Sequence, residues 1–295
     1  MSIGTPQTPI GARAGIGLRA PHIDLVLASR PAAAWFEVHA ENHMTDRPGD
    51  ITPAFTALSS VRQDYPVSLH GVGLSLGGAG QLDHDHLARL KDLVLRIDPF
   101  VVSEHLAWCG TGGAFLNDLL PLPYTDEALR TVVRHVDAVQ TALGRRLLVE
   151  NPSAYLVFAD PGMAEADFLA ELVARTGCGL LCDLNNSHVS AHNLRGDARA
   201  WLRRLPGAAI GEIHLAGFVR EDADGDSVLI DTHSTPVDGA VWDLYAEALR
   251  LFGPCPTLIE WDADIPDFRV LQDEAARADA IAAPFSAAND DVRAA

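Results

Sequence analysis

Cysteine is scarce in this chain: Cys109, Cys178, Cys182 and Cys255 are the only four in 295 residues, and no two form a C-x-x-C pair. A disulfide framework and a zinc ribbon are therefore both unsupported, and the thiols read as small apolar core residues. Basic residues are also few, with 22 Lys and Arg against 40 Asp and Glu, a formal charge of -18. Such a field repels phosphate backbones and argues against nucleic acid as a partner. No apolar run approaches the length of a membrane span, and the first twenty residues lack the apolar centre of a signal peptide. The expectation is a cytoplasmic protein that does not engage membranes.

What is present is ordinary globular material, 48% hydrophobic and 21% charged, enough to bury a sizeable core. Short β-rich runs alternate with helical patterns from end to end. They fall at 35–39, 67–70, 100–105, 146–150, 179–183, 210–214, 227–231 and 257–260. Eight such runs at a mean spacing of about 32 residues match strand-plus-helix units and predict an α/β protein, a closed (β/α)8 TIM barrel forming one domain over 1–295. The ordered core is expected over about 15–281, with the first dozen residues and the tail after residue 283 unstructured. Helix signals accompany the runs. Asp83 precedes apolar residues at helical spacing, Gly144 and Gly177 sit past two helix ends, and another helix runs from near Pro236 to Gly253. One interval is short: only 17 residues separate His214 from Asp231, so the stretch REDADGD is expected as a loop in place of a crossover helix.

Polar residues gather at the strand ends, where a barrel places its active site. In order they are Glu37 and His39, His70, Glu104 and His105, Glu150, Asp183, Glu212 and His214, Asp231 and His233, and Glu260 and Asp262. Four of these pairs are spaced by two, so in an extended segment both members face one side. His84, His86 and His135 fall on helical patterns instead and read as solvated. A strand-end Asp can cap the next helix and a lone His can be a satisfied core residue, but here those explanations must recur on strand after strand. Several carboxylates buried together need compensating cations, and mixed imidazole and carboxylate donors without thiolate suit iron, zinc or manganese. His70, His105 and Glu150 form the two-His-one-carboxylate set used by non-haem iron oxygenases. Two other motifs carry less. Ser75, in Gly73-Leu-Ser-Leu-Gly77, matches a nucleophile elbow, but a glycine-rich loop follows it where a helix is required. The same glycines fail the G-x-G-x-x-G spacing of a dinucleotide site.

The runs GIGLRAPH (15–22), EVHAEN (37–42), YPVSLHGVGLSLG (65–77), VSEHLAW (102–108), LNDLLPLPYT (116–125), VENPSAY (149–155), CDLNNSHVSAHN (182–193), EIHLAG (212–217), IDTH (230–233) and TLIEWD (257–262) resemble, in unbroken order, the multinuclear non-haem iron-dependent oxidative enzymes. The resemblance implies a xylose isomerase-like barrel with two or three irons, Fe(II) and Fe(III) mixed, and O2 as cosubstrate. It implies that His70, His105 and Glu150 hold one metal and that Glu150 bridges to a second held by Asp183, His214 and Glu260, these six being the catalytic set. Asn186, Asp231 and His233 would face a third, with Glu37, His39 and Asn42 orienting ligands. The implied activity is oxidative modification of cysteine in a ribosomally made precursor peptide, with a separate protein that captures the leader, giving a heterodimer. Phe218 and Leu194 stand where many relatives carry histidine. Alternatives within the same barrel superfamily are a metal-dependent phosphodiesterase or endonuclease and a sugar isomerase; a non-catalytic, metal-loaded peptide-binding protein is the third. Against the nuclease stand the acidic charge and Asn186, which occupies a position where a metal-binding His is usual.

Overall fold

The computed structural model describes residues 10–294, apart from 112–113, 160–161 and 224–225. Its strands, in chain order, are β1 (Ala14–Gly17), β2 (Phe36–His39), β3 (Val67–Gly71), β4 (Val101–His105), β5 (Trp108–Thr111), β6 (Ala114–Leu120), β7 (Leu148–Glu150), β8 (Gly179–Asp183), β9 (Ile210–Leu215), β10 (Val219–Ala223), β11 (Asp226–Ile230) and β12 (Thr257–Ile259). Eight of them close a barrel in the order β1-β12-β9-β8-β7-β4-β3-β2, and every pairing in it is parallel. The other four form two antiparallel hairpins, β5-β6 and β10-β11.

The expected number of barrel strands is correct and one member is not. Residues 227–231 are no barrel strand; Asp226–Ile230 pairs antiparallel with Val219–Ala223. The short interval from His214 has room only for that hairpin, so the stretch expected as a loop is strand at Arg220–Ala223 and Asp226, while 224–225 lie outside the described residues. The eighth barrel strand is β1, AGIG, which is too short and glycine-rich to show a hydrophobic period. Its glycines have a packing reason. A Cβ on Gly15 would lie 2.3 Å from the Trp35 ring, and one on Gly17 would lie 3.3 Å from the Arg19 guanidinium. These two large side chains thus enter the barrel where β1 has none. Gly15→Ala is expected to destabilise the fold by about 1–3 kcal/mol through overpacking against Trp35, read as a lowered midpoint in urea with unchanged slope.

Alternation along the strands sorts the rest. Phe36 and Val38, Val67 and Leu69, and Ile213 and Leu215 belong to the apolar core shared with the surrounding helices. The opposite set, including Glu37, Ser68, His70, Ser103, His105, Glu150, Asp183, Glu212 and His214, points into the barrel, a consequence of the two-residue period. The inner floor is apolar, with Leu148 reaching the places a Cβ of Gly179 or Gly211 would take.

The helices begin and end where local chemistry directs. Asp83 caps Leu-rich His84–Ile97, Thr125 caps Asp126–Leu143, and Gly144 and Gly177 adopt the left-handed conformation just past their helices. The helix expected from near Pro236 runs Gly239–Phe252, capped by Asp238. The final helix runs Phe268–Ala294 through Pro284, so the tail expected to lack structure after residue 283 continues a helix. The disorder expected for the first dozen residues falls mainly on 1–9, which lie outside the described residues. No helix among the described residues is long and apolar enough to cross a membrane.

Candidate metal centre

At the C-terminal end of the barrel the parallel register sets His39 beside His70, His105 beside Glu150 and Asp183 beside His214. Four groups of donor atoms converge there among the described residues, each with all its atoms within 4.8 Å of one another. Two of them share Glu150, namely His70, His105 and Glu150, and Glu150, Asp183, His214 and Glu260. The others are Glu37, Glu212 and His214, and His39, Glu260 and Asp262. All six residues of the first two groups are buried. Glu150 belongs to both of these, one oxygen toward each. Its Oε2 is 3.1 Å from His70 Nε2 and 3.3 Å from His105 Nε2, while its Oε1 is 3.9 Å from His214 Nδ1. The two Nε2 atoms are 3.4 Å apart. Donor atoms bound ~2.1 Å from one ion at right angles stand ~3.0 Å apart, so the first group has the spacing of an ion's ligand face.

The unsatisfied atoms point the same way. Glu150 Oε2, Asp183 Oδ2 and Asn186 Oδ1 are buried and make no hydrogen bond, a costly arrangement unless a cation lies among them. Asp183 serves two masters: its Oδ1 accepts from the Asn186 amide at 2.6 Å and caps helix Leu184–Asn193, which leaves Oδ2 for the cluster. The capping explanation for this residue is thus true and incomplete.

Hydrogen bonds behind the ligands fix which nitrogen each imidazole presents. His70 Nδ1 meets Ser103 Oγ at 2.7 Å and His105 Nδ1 meets the Gly71 carbonyl at 3.1 Å, leaving both Nε2 atoms for the cluster. His214 is turned the other way. Its Nδ1 faces Glu260 Oε2 at 3.1 Å, and its Nε2 is bracketed by Glu212 Oε1 at 3.3 Å and Glu37 Oε1 at 3.4 Å. Burial raises both of those carboxyls, but His214 overrides it at Glu37, which falls to about 2, while the Glu37 charge adds to burial at Glu212 and lifts it to about 8. Burial and the neighbouring Glu150 push Asp183 well above the usual carboxylate range. Burial alone would lower His105, yet Glu150 and Glu104 carry it to about 10. Protons and cations compete for one pool of buried negative charge.

Asp231 and His233 join none of these groups. His233 Nε2 is 2.8 Å from Asp231 Oδ1, and its Nδ1 lies 3.2 Å from Glu260 Oε2 and 3.1 Å from Asp262 Oδ2. Both its nitrogens face carboxylates. Asn186 Nδ2 donates to the Asn151 carbonyl at 3.1 Å, and Asn42, expected to orient a ligand, is exposed. Its neighbour Glu41 is engaged instead, accepting from the Val72 amide at 3.0 Å and lying 3.2 Å from His86 Nε2. His86 and His135 are accordingly buried, not solvated as their helical positions suggest; His135 Nδ1 is 2.9 Å from the Leu76 carbonyl. Ser75 has φ +58°, as an elbow would, but its Oγ accepts from the Cys109 amide at 3.0 Å and serves the turn.

Sequence reasoning missed Arg19. Its guanidinium is buried at the barrel mouth, donating through Nε and Nη2 to Asp262 Oδ1, and Nη2 lies 3.6 Å from Glu260 Oε1. Burial, then the Arg19 charge, hold His39 down at about 4, so its neutral Nε2 accepts from Arg19 Nη2 at 3.1 Å. A lone Arg before a helix gives no warning of partners 243 residues away. Arg19→Met is expected to free Glu260 and weaken metal binding at the Asp183 side by ~10–100-fold, sparing the His70 side, as read by stepwise metal titration. Because the Asp262 side chain is 31% exposed, the stability cost is expected at about 1–3 kcal/mol, below that of a fully buried pair.

The solved structures of similar fold include a D-psicose 3-epimerase with D-tagatose from Clostridium cellulolyticum H10, with TM-score 0.57, 12% identity, and coverage of 93% of this chain and 99% of that one. Another is the IOLI protein with a bound zinc atom, with TM-score 0.57, 13% identity, and coverage of 92% and 99%. At such identities they establish the fold alone, a closed (β/α)8 TIM barrel. Sequence relatives are much nearer. A UPF0276 protein of Rhizobium meliloti strain 1021 is 48% identical over 272 residues, 92% of this chain and 87% of the relative. One of Caulobacter vibrioides is 50% identical over 277 residues, 94% and 97%. The family model described as RiPP precursor modification enzyme MbnB/TglH/ChrH matches residues 13–283, from β1 to the middle of the last helix. The chain therefore belongs to the MbnB/TglH/ChrH family of RiPP precursor modification enzymes, the multinuclear iron family that its motifs resemble.

Proposed function

We propose that this protein is an iron-dependent, O2-using enzyme that oxidatively modifies cysteine residues of a ribosomally made precursor peptide. The observation that carries the proposal is the sharing of Glu150 between two buried donor groups, an arrangement suited to a pair of ions in electronic contact. In this reading His70, His105 and Glu150 hold one iron, and Glu150, Asp183, His214 and Glu260 hold the second. A third position is assigned to Asn186, Asp231 and His233 beside them. Bound iron supplies the one-electron chemistry and the activation of O2 that no side chain here can supply.

The chain's own groups do the rest. Ser103 and the Gly71 carbonyl keep the two Nε2 atoms aimed at one point, and Glu37 with Glu212 holds His214 from behind. The apolar layer around the barrel excludes water from all but the mouth. Asp231, 2.8 Å from His233 Nε2, and Glu260, 3.2 Å from its Nδ1, hold the His233 ring in place at the mouth. The family's substrate class supplies the peptide, and a leader-recognising partner protein would complete the assembly as a heterodimer.

The test is to incubate the iron-loaded protein with a cysteine-bearing peptide encoded beside its gene, under air and under argon. A mass change that needs air and the cysteine is the expected result. An unchanged peptide mass under air, with bound iron verified, would overturn the proposal.

A further inference from the structure

Isolated exposed apolar side chains need no explanation, whereas adjoining ones mark a surface that something covers. Ten large apolar residues stand exposed among the described residues, and five of them, Phe115, Leu116, Tyr155, Leu156 and Val157, lie on just two segments, β6 and the stretch after β7. Phe115 is 60% and Leu156 50% exposed. Four of the five line, with Val72 and Asp231, a groove of 640 Å³, within the ~300–1,000 Å³ usual for ligand pockets.

Two residues of the groove's lining adjoin the metal centre: Asp231 is 2.8 Å from His233, and Val72 follows Gly71, whose carbonyl positions His105. Its walls are anchored in place. The Tyr155 hydroxyl accepts from the Asp231 amide at 2.8 Å, and the Ala154 amide donates to Ser190 Oγ at 2.8 Å. Among the described strands β6 pairs with β5 alone, and an unpaired strand edge beside an apolar groove is the surface to which an extended chain adds, backbone to backbone, with alternate side chains packed below. The charged residues lining the groove are Asp118 and Asp231, so an acidic occupant is disfavoured.

We propose that this groove seats an extended segment of the substrate peptide, apolar and without acidic side chains, and so delivers the adjoining residue to the metal centre. The inference rests on the peptide-modifying function proposed above. The probe is a fluorescein-labelled synthetic ten-residue peptide with one cysteine preceded by Leu, Phe and Val, paired with a control in which those three are Asp and Ser. Binding to the metal-loaded protein is followed by anisotropy. The apolar peptide is expected to bind more tightly by at least about tenfold, and the Phe115→Ser, Leu156→Ser double variant to lose about that factor with metal content unchanged. Leu95→Ser, exposed on the helix His84–Ile97 and not part of the groove lining, is expected to change nothing. Equal affinity for the two peptides, no binding of either at millimolar concentration, or indifference to the double substitution overturns the proposal. So does a wild-type dimer in sedimentation that the double substitution dissociates without altering peptide affinity, since the occupant is then a second copy. The two ideas fail separately. Groove-dependent binding without any oxygen-dependent mass change removes the catalytic reading alone, and an oxygen-dependent mass change insensitive to Phe115 and Leu156 removes the groove alone.

Discussion

Glu150→Ala is expected to strip metal from both halves of the centre, whereas His105→Ala strips the first and Asp183→Ala the second. The difference follows from position. Glu150 ends strand β7 with one oxygen toward His70 and His105 and the other toward His214, while each of the other two residues belongs to a single group. Affinity at both positions is expected to fall by more than ~100-fold, beyond the ~10–100-fold that a residue behind a ligand carries. Activity that needs two ions falls to background in all three variants, so activity alone does not separate them. Metal stoichiometry does. A Glu150→Ala protein that keeps one tightly bound ion per chain would contradict the bridging role.

Metal removal is expected to cost the fold about 4 kcal/mol when the free ion stands near 1,000 times its Kd. For a chain of this length that corresponds to a Tm lowered by ~5–8 °C in chelator, recovered on adding ferrous iron without oxygen. The physical source is the buried charge. Glu37, Glu150, Asp183, Glu212 and Glu260 are all buried within one barrel mouth, and imidazolium protons offset only part of their mutual repulsion. Differential scanning calorimetry with and without chelator measures the effect, and the Glu150→Ala protein should show little of it. Identical Tm values with and without chelator in the wild type would mean that the cluster is satisfied by protons and holds no structural ion.

Much of this was legible beforehand because a barrel strand writes its inner face at every second residue. Glu37 and His39, Glu212 and His214, and Glu260 and Asp262 are spaced as inward neighbours, and register alone brings them together. Where an element lacked side chains the pattern failed: β1 contributes Gly15 and Gly17 inward, so nothing in its composition alternates, and the apolar hairpin strand at 226–230 stood in for it. Of the three histidines read as solvated on helices, His84 is exposed, and the other two are buried for a related reason. His86 and His135 sit on helix faces that meet the segments after β2 and β3 respectively, and a helical period reports burial against a core without reporting loops folded over it. Arg19, Ser103 and Glu41 act through partners distant in sequence or through backbone carbonyls and amides, which leave no spacing to find. Asp183 was legible as a strand-end carboxylate, and only the structure divides its two oxygens between helix cap and cluster.

The central claim is that this barrel mouth holds redox-active iron, and iron-57 Mössbauer spectroscopy with elemental analysis on protein purified without oxygen tests it most directly. Two or more irons per chain, partly ferric and lost on replacing Glu150, are the predicted result. Stoichiometric zinc without iron, persisting after expression in iron-supplemented medium, would contradict it.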